Sequence, residues 1–469
     1  MSFLVAFLSF LIPLATGLLI VSVFWQEGRS YFSDLILKCF LSVGFGFGSS
    51  SCLVFVWMMT VGRLTRGVFI LELMLLAGLS ALLICRRRAS ISTTADQPEN
   101  IPIPCLSKPY FLGLAVGVAA LSAIVSFWYL SLQNPHGKFD AYAIWNLRAR
   151  FLYRGGEYWT NYTYVTWSHP DYPLFLPASI AGSWEFVGRE TQLIPIVIGL
   201  LFTFATIGVI AMSIARLRGN RQGLLAALIL LSTPFLIIHG ASQYADVPLS
   251  FFFAATVALL FFQAESPGKR HFLILAGMAA AFSAWVKNEG ILFLVLLFLL
   301  HFAVTTLAKG GKNWGSEALA LFMGASPVIV VVIIYKLCLA GTNDVIAAQG
   351  LVSTVPQLLD ISRYHLVASQ FGKGLFSFGG WSPTFAMPVL LFFYFLLLGT
   401  NIEKKHMATT TIAVLLPVLM IMGYFTIYIV SPYDLARHLE TSLSRLLLQV
   451  WPLAILAYFA IVQAPERVV

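Results

Sequence analysis

Apolar runs of about twenty residues recur along the chain, divided by short polar turns, until one long polar stretch breaks the rhythm between Gln133 and about Pro177. The runs predict about thirteen helices, over 3–25, 35–59, 67–85, 109–131, 191–215, 222–239, 247–263, 271–286, 290–308, 316–338, 383–399, 407–430 and 446–463. A run of that length crosses a hydrocarbon core of ~30 Å as a helix. Lipid leaves no partner for an open backbone, and the runs are too long and too little alternating for barrel strands. The fold class that follows is an all-α polytopic integral membrane protein with about thirteen transmembrane helices. Two further segments have surface character. Residues 174–188 (LFLPASIAGSWEFVG) read as a short amphipathic helix lying on the membrane, and QLLDISRYHLVASQFGKG within 340–382 reads as another.

Composition agrees with the pattern. The 469 residues are 59% hydrophobic and only 10% charged, where soluble domains carry about 25% charged residues. The net charge of +9 is absorbed by loop anchoring and by a share for an anionic ligand, so it is no sign of a nucleic-acid partner. The five cysteines lie in or beside apolar runs or in a connecting loop; no disulfide framework and no CxxC metal site are expected. The N-terminal run lacks a basic lead and a cleavage site, and reads as a retained first helix.

Lysine and arginine set the orientation. One set of loops holds sixteen of them and the other twelve, and the short turns RLRGNR, GKR and KGGK place the first set in the cytosol. The large polar loop, 133–190, then faces outward with the segment 340–382. Residues 1–85 form a three-helix membrane unit, 86–108 (RRRASISTTADQPENIPIPCLSK) a cytosolic linker, 109–463 the main transmembrane domain and 464–469 a cytosolic tail.

On the outward side the polar residues gather in clusters: Asp140 in KFDAYAIW, followed by Arg148, Arg150 and Arg154; His169, Asp171 and Tyr172 in HPDYP; Tyr244 and Asp246 in YADVP; Lys287 and Glu289 in KNEG; and Arg437 and Arg445 in the stretch SPYDLARHLETSLSRLLLQVWP. Charges at the ends of membrane helices are costly, and are usually retained for a site.

The order of these motifs resembles the GT-C superfamily of integral-membrane glycosyltransferases, in the branch holding lipid A aminoarabinose transferases, protein O-mannosyltransferases and rhizobial lipopolysaccharide sugar transferases. The likeness rests on Asp140 in the first large outer loop, HPDYPLFLP at 169–177, Asp246 in YADVPL, AWVKNEG at 284–290 and TSLSRLLLQ at 441–449. It covers roughly 109–463; residues 1–85 carry none of it. The resemblance implies a polyprenyl-phosphate sugar donor in the membrane lipid, a glycan, lipid or protein acceptor, and inversion at the anomeric carbon. The place it implies is the outer face of a bacterial cytoplasmic membrane.

The residue types suit that chemistry. A hydroxyl acceptor needs a carboxylate to take its proton, which assigns Asp140 as base, with Asp246 orienting the acceptor or its neighbours. A lipid phosphate leaves without a proton but needs cations, and arginine's planar fork matches its oxygens. Lys287 and Arg445 come first in that role, then Arg437 and Arg148. Tyr172, Trp145 and Tyr244 offer flat faces for a sugar, and His169, Asp171 and Glu289 complete the set. A divalent metal is compatible with Asp140, His169, Asp171 and Asp246 as ligand types.

Plainer roles compete. Asp140 and Asp246 are both placed to cap helices. The arginines after Asp140 and Arg445 are placed to anchor in headgroups. A transporter or flippase of lipid-linked sugars is the alternative function. It calls for broken helices with charge near the midplane and repeat symmetry. The chain has Gly44, Gly46 and Gly48 in one run but no repeat, and its charges sit at outer loop ends.

Overall fold

The computed structural model describes residues 2–25, 32–91, 110–309, 314–341, 350–381 and 386–464. About 85% of it is helical, with no strand among the described residues. In chain order the membrane part opens with α1 (Ser2–Leu8), α2 (Leu11–Phe24), α3 (Phe32–Val61), α4 (Val68–Ile91) and α5 (Tyr110–Gln133). The large loop follows. It holds a π-helical turn (Ala141–Trp145), α6 (Asn146–Arg154), two 3-10 turns (Gly156–Tyr164 and Thr166–Ser168) and α7 (Phe175–Val187). Then come α8 (Leu193–Arg218), α9 (Asn220–Leu231), α10 (Pro234–Ala241), α11 (Asp246–Glu265), α12 (His271–Val286), α13 (Asn288–Lys309) and α14 (Trp314–Cys338). The chain ends with α15 (Gly350–Leu359), α16 (Ile361–Ser377), α17 (Met387–Leu398), α18 (Met407–Ile429) and α19 (Leu435–Ile461).

Among the described residues ten helices are long and apolar enough to cross a membrane, or eleven if α9 and α10 count as one bent span. This corrects the expected thirteen. The run at 222–239 is two helices bent by 60°. Pro234 opens α10 and holds Thr233 extended, as the residue before a proline prefers. α12 and α17 have only 16 and 12 residues. At ~1.5 Å per residue they fall short of a full span. The last helix starts at Leu435, eleven residues before the expected 446, and α4 continues past 85 to Ile91. The rest of the expected linker (92–108), the tail from 465, and parts of the expected segments at 340–382 and 383–399 lie outside the described residues.

α7 is a second correction. It does not lie on a membrane surface: residues 175 to 184 are all buried, packed against α3, α6 and α8. A short apolar helix rich in Ala, Ser and Gly can sink into protein as readily as into headgroups. α16 does keep a surface character. Val367 and Phe371 face α18 and α19, while Ile361 and Phe376 stay exposed.

α11 is the centre of the bundle and is almost wholly buried, whereas α4 and α5 are mostly exposed and lie outermost. α3 reaches that centre because its glycines leave room. A Cβ at Gly44 would stand 2.1 Å from the Phe251 ring and one at Gly48 2.7 Å from Phe282. Trp285 on α12 also donates to the Ser51 hydroxyl of α3 at 3.1 Å. At the end of the bundle where α8 finishes, cations clasp neighbouring helices. Arg216 pairs with Asp34 at 2.6 Å, and Arg218 donates to the carbonyls of Ile461 and Val462, each at 3.2 Å.

Candidate active site

The opposite end of the bundle gathers the other charges. Asp140 follows a sharp turn at Gly137, whose φ is +73°; a Cβ there would stand 2.7 Å from the Ser242 carbonyl. The Lys138 N–H donates to that carbonyl at 3.3 Å, which ties the loop to the turn before α11. Asp140 stands where a cap would, yet its side chain makes no capping bond; its carboxylate is paired with the Arg445 guanidinium of α19. The π-helical turn that follows is a geometry often met at functional sites.

Asp246 is the first residue of α11 and is 2% exposed. It too caps nothing: it accepts from the Lys287 ammonium at 3.0 Å and from the Gln449 amide at 2.6 Å. Lys287 is a single extended residue between α12 and α13. The two helices cross closely because Gly290 follows; a Cβ there would stand 1.9 Å from the Ser283 carbonyl. The ammonium also reaches Glu289 at 2.9 Å. Burial works against its charge, but Asp246 and Glu289 outweigh that and hold its pKa above the usual lysine value.

Arg445 and Gln449 lie one turn apart on α19, so they share a face. One holds Asp140 and the other Asp246. Four residues of helix advance ~6 Å, which sets the two carboxylates a single turn apart along α19. The Arg445 guanidinium also sits 5.5 Å from the Tyr244 ring. The Tyr244 hydroxyl, held in its neutral form mainly by burial and then by Asp140, has its pKa pushed up to about 12. Asp140 and Arg445 keep about one fifth of their side-chain surface exposed, while Asp246 and Lys287 are nearly closed off. The cluster therefore has an open ion pair above a buried one.

The HPDYP segment forms the adjoining wall. Tyr172 stacks on Trp145, with ring centres 5.7 Å apart, and on His169 at 5.2 Å. Lys287 lies 5.5 Å from the Tyr172 ring. His169 has φ +51°, a turn conformation uncommon outside glycine. Asp171 accepts from Asn288 at 2.5 Å and so binds the segment to the α12–α13 turn.

Of the expected site residues, Asp140, Asp246, Lys287, Arg445, Tyr244 and Glu289 come together, with Tyr172, Trp145, His169 and Asp171 alongside. Two stand apart. Arg148, expected on phosphate, is fully buried and donates to the carbonyls of Ser168, His169 and Tyr172, the first at 2.6 Å and the last at 2.7 Å. It braces the loop from inside. Arg437 is exposed, and its backbone N–H is capped by Asp434 at 2.9 Å in the first turn of α19. Arg150 and Arg154 pair with Glu190. Four residues went unnoticed in the sequence. One is Gln449, which donates to Asp246. Tyr424 donates to the Gln449 carbonyl oxygen at 2.7 Å. Lys336 reaches the Asn288 amide oxygen at 2.6 Å and the Asp171 carbonyl at 2.5 Å, and Tyr335 donates to the Pro170 and Tyr172 carbonyls at 2.7 Å each.

Among the described residues Asp140, His169, Asp171 and Asp246 bring no three ligand atoms together, and the Asp140 and Asp246 carboxylates hold Arg445 and Lys287. The group that does bring three ligand atoms within 4.8 Å is Glu265, Glu403 and His406, at the far end of α11 and occupied by Lys405 at 2.9 Å. A cavity of about 520 Å³ between α5, α8 and α9 is lined by Tyr110, Met212 and Asn220 among others and by no charged residue. It also lies near the far end of α8, away from the charged cluster.

The family model described as dolichyl-phosphate-mannose-protein mannosyltransferase matches residues 171–335. That is about a third of the chain, and it takes in Asp171, Asp246, Lys287 and Glu289. No curated protein and no solved structure matches the chain. The match supports the GT-C superfamily and points to a glycosyltransferase of the kind served by a polyprenyl-phosphate sugar.

Proposed function

We propose that the protein is an inverting glycosyltransferase that moves a sugar from a polyprenyl-phosphate carrier to a glycan, lipid or protein acceptor on the outer face of a bacterial cytoplasmic membrane. The observation that carries this is the shared grip of α19, where Arg445 and Gln449 hold the two carboxylates one turn apart.

In this reading the acceptor hydroxyl gives its proton to Asp140 as its oxygen bonds to the anomeric carbon of the sugar. The bond from that carbon to the phosphate oxygen breaks, and its electron pair leaves on the lipid phosphate. Arg445 is the cation closest to the open side and receives that phosphate, with Lys287 behind it. At rest Arg445 occupies Asp140. A phosphate arriving on the guanidinium competes for its donors and releases the carboxylate, so the base becomes available only once the donor is seated. Asp246 keeps Lys287 in place from within. Preorganised cations of this sort act where charge develops, in a site with little water to reorganise.

The test is a donor panel. Purified protein in vesicles receives polyprenyl-phosphate hexoses and pentoses with an outer-membrane lipid or glycan extract, and free polyprenyl phosphate is measured. Release that depends on protein and acceptor supports the proposal. Movement of intact carrier between leaflets, with no release, would favour a flippase.

A further inference from the structure

His239, near the end of α10, stands beside the charged cluster with one ring nitrogen to spare. Its Nδ1 lies 2.8 Å from the Phe235 carbonyl, one turn back on the same helix. A carbonyl only accepts, so Nδ1 carries the hydrogen and Nε2 keeps its lone pair. Nε2 has no hydrogen-bond partner among the described residues. The ring is half-buried, and Nε2 stays within reach of solvent. It is an acceptor presented outward.

The ring is also held in one direction. Phe235 and Tyr244 flank it, with ring centres 5.6 Å and 5.7 Å away and interplanar angles of 69° and 71°. The turn that carries Tyr244 is fixed as well. The Tyr244 N–H donates to the His239 carbonyl at 3.3 Å. Gln243 adopts φ +60°, uncommon for a residue with a side chain, and donates to the Pro135 carbonyl at 3.1 Å. Groups set in place before a ligand arrives bind it at lower entropic cost.

The neighbours of His239 decide what it can hold. Tyr244 touches both His239 and the Arg445 guanidinium, the latter at 5.5 Å. The charges that act on His239 are those of the cluster: Asp246, Arg445 and Lys138. Arg445 is the cation assigned to the donor phosphate. A sugar-bearing phosphate is a diester with no proton to give, so it does not match a lone pair. A hydroxyl does match it, and the nearest hydroxyls to that phosphate belong to the sugar it carries.

We propose that His239 and Tyr244 form the subsite of the transferred sugar, with His239 Nε2 accepting a hydrogen bond from one of its hydroxyls. The proposal rests on the glycosyltransferase reading and adds the residues that recognise the sugar. Its test is binding with no acceptor present, on the full chain in nanodiscs. The probes are polyprenyl-phosphate hexoses and pentoses, and free polyprenyl phosphate. Wild type, His239→Asn and His239→Gln are compared. The asparagine amide can still donate to the Phe235 carbonyl but does not extend to the place of Nε2, whereas the glutamine carbonyl oxygen does. If His239→Asn fails to fold, His239→Phe reads the same contact, because it keeps a ring between Phe235 and Tyr244. His239→Asn should weaken at least one sugar-bearing carrier by about fivefold or more while free polyprenyl phosphate stays within about twofold, and His239→Gln should recover most of the loss. Equal weakening of both probes, no weakening of either, or no recovery in His239→Gln would overturn the subsite. Such a failure with acceptor-dependent donor cleavage intact leaves the proposed reaction standing. Wild type that binds no sugar-bearing carrier would overturn both.

Discussion

Arg445 donates to Asp140 across 305 positions of sequence, joining the last long helix to the residue just before the loop's π-helical turn. The pair is only about one fifth exposed, yet it is the more open of the two ion pairs in the cluster. An Arg–carboxylate pair at such a spot is poised for exchange, because a phosphate presents the same acceptor geometry. Arg445→Lys keeps the charge but loses the fork. Donor KM should rise by about tenfold or more, and donor titration in vesicles measures it. A donor KM within twofold of wild type would mean that Arg445 does not receive the phosphate.

Lys287 is a buried cation between two carboxylates. Breaking a buried pair by deleting one partner costs ~3–5 kcal/mol, because the other charge stays behind. Lys287→Met should therefore lower the thermal midpoint in detergent sharply. Lys287→Met with Asp246→Asn should recover part of that loss. If the double variant melts below the single one, the two side chains are not coupled as their 3.0 Å contact implies.

Gln449 is a positioning residue. It links Asp246 at 2.6 Å with Glu289 at 3.3 Å, and Tyr424 orients it. Gln449→Leu removes the donor at similar volume and should reduce kcat by about tenfold, while Gln449→Glu adds a third acid and should reduce it further. Acceptor-dependent release at saturating donor gives both rates. Equal activity in Gln449→Leu and wild type would show that Asp246 needs no support from α19.

The raised pKa of Lys287 has a pH consequence. A cation whose folded pKa lies above its unfolded value contributes stability fully below the unfolded value, about 10.4 for lysine. That contribution fades only as pH rises through the folded value. The thermal midpoint should thus show no loss traceable to Lys287 between about pH 7 and 10, and Lys287→Arg should trace the same curve. A fall in the wild-type midpoint below about pH 9 that disappears in Lys287→Arg would contradict this.

How much of this was open to the sequence depends on contrast. Asp140, Asp246 and Lys287 stand out because charge is rare in so apolar a chain. Gln449 and Tyr424 do not, since each sits inside an apolar helix where a single polar atom looks like ordinary core. Arg148 and Arg150 look alike as letters, two residues apart. The helix turns one onto the carbonyls of 168–172 and the other toward Glu190. The helix count ran high because apolar length alone overlooks the bend at Thr233–Pro234 and takes the short helices α12 and α17 for full spans. α7 was misplaced because periodicity tells which face is apolar and not whether lipid or protein covers it.

The most direct measurement is the single-turnover rate of sugar transfer in Asp140→Asn, with donor and acceptor saturating and membrane insertion matched to wild type. The asparagine keeps the shape and cannot take a proton, so the account expects a fall of about 10²–10⁴-fold with donor binding retained. A rate within a few-fold of wild type would contradict it.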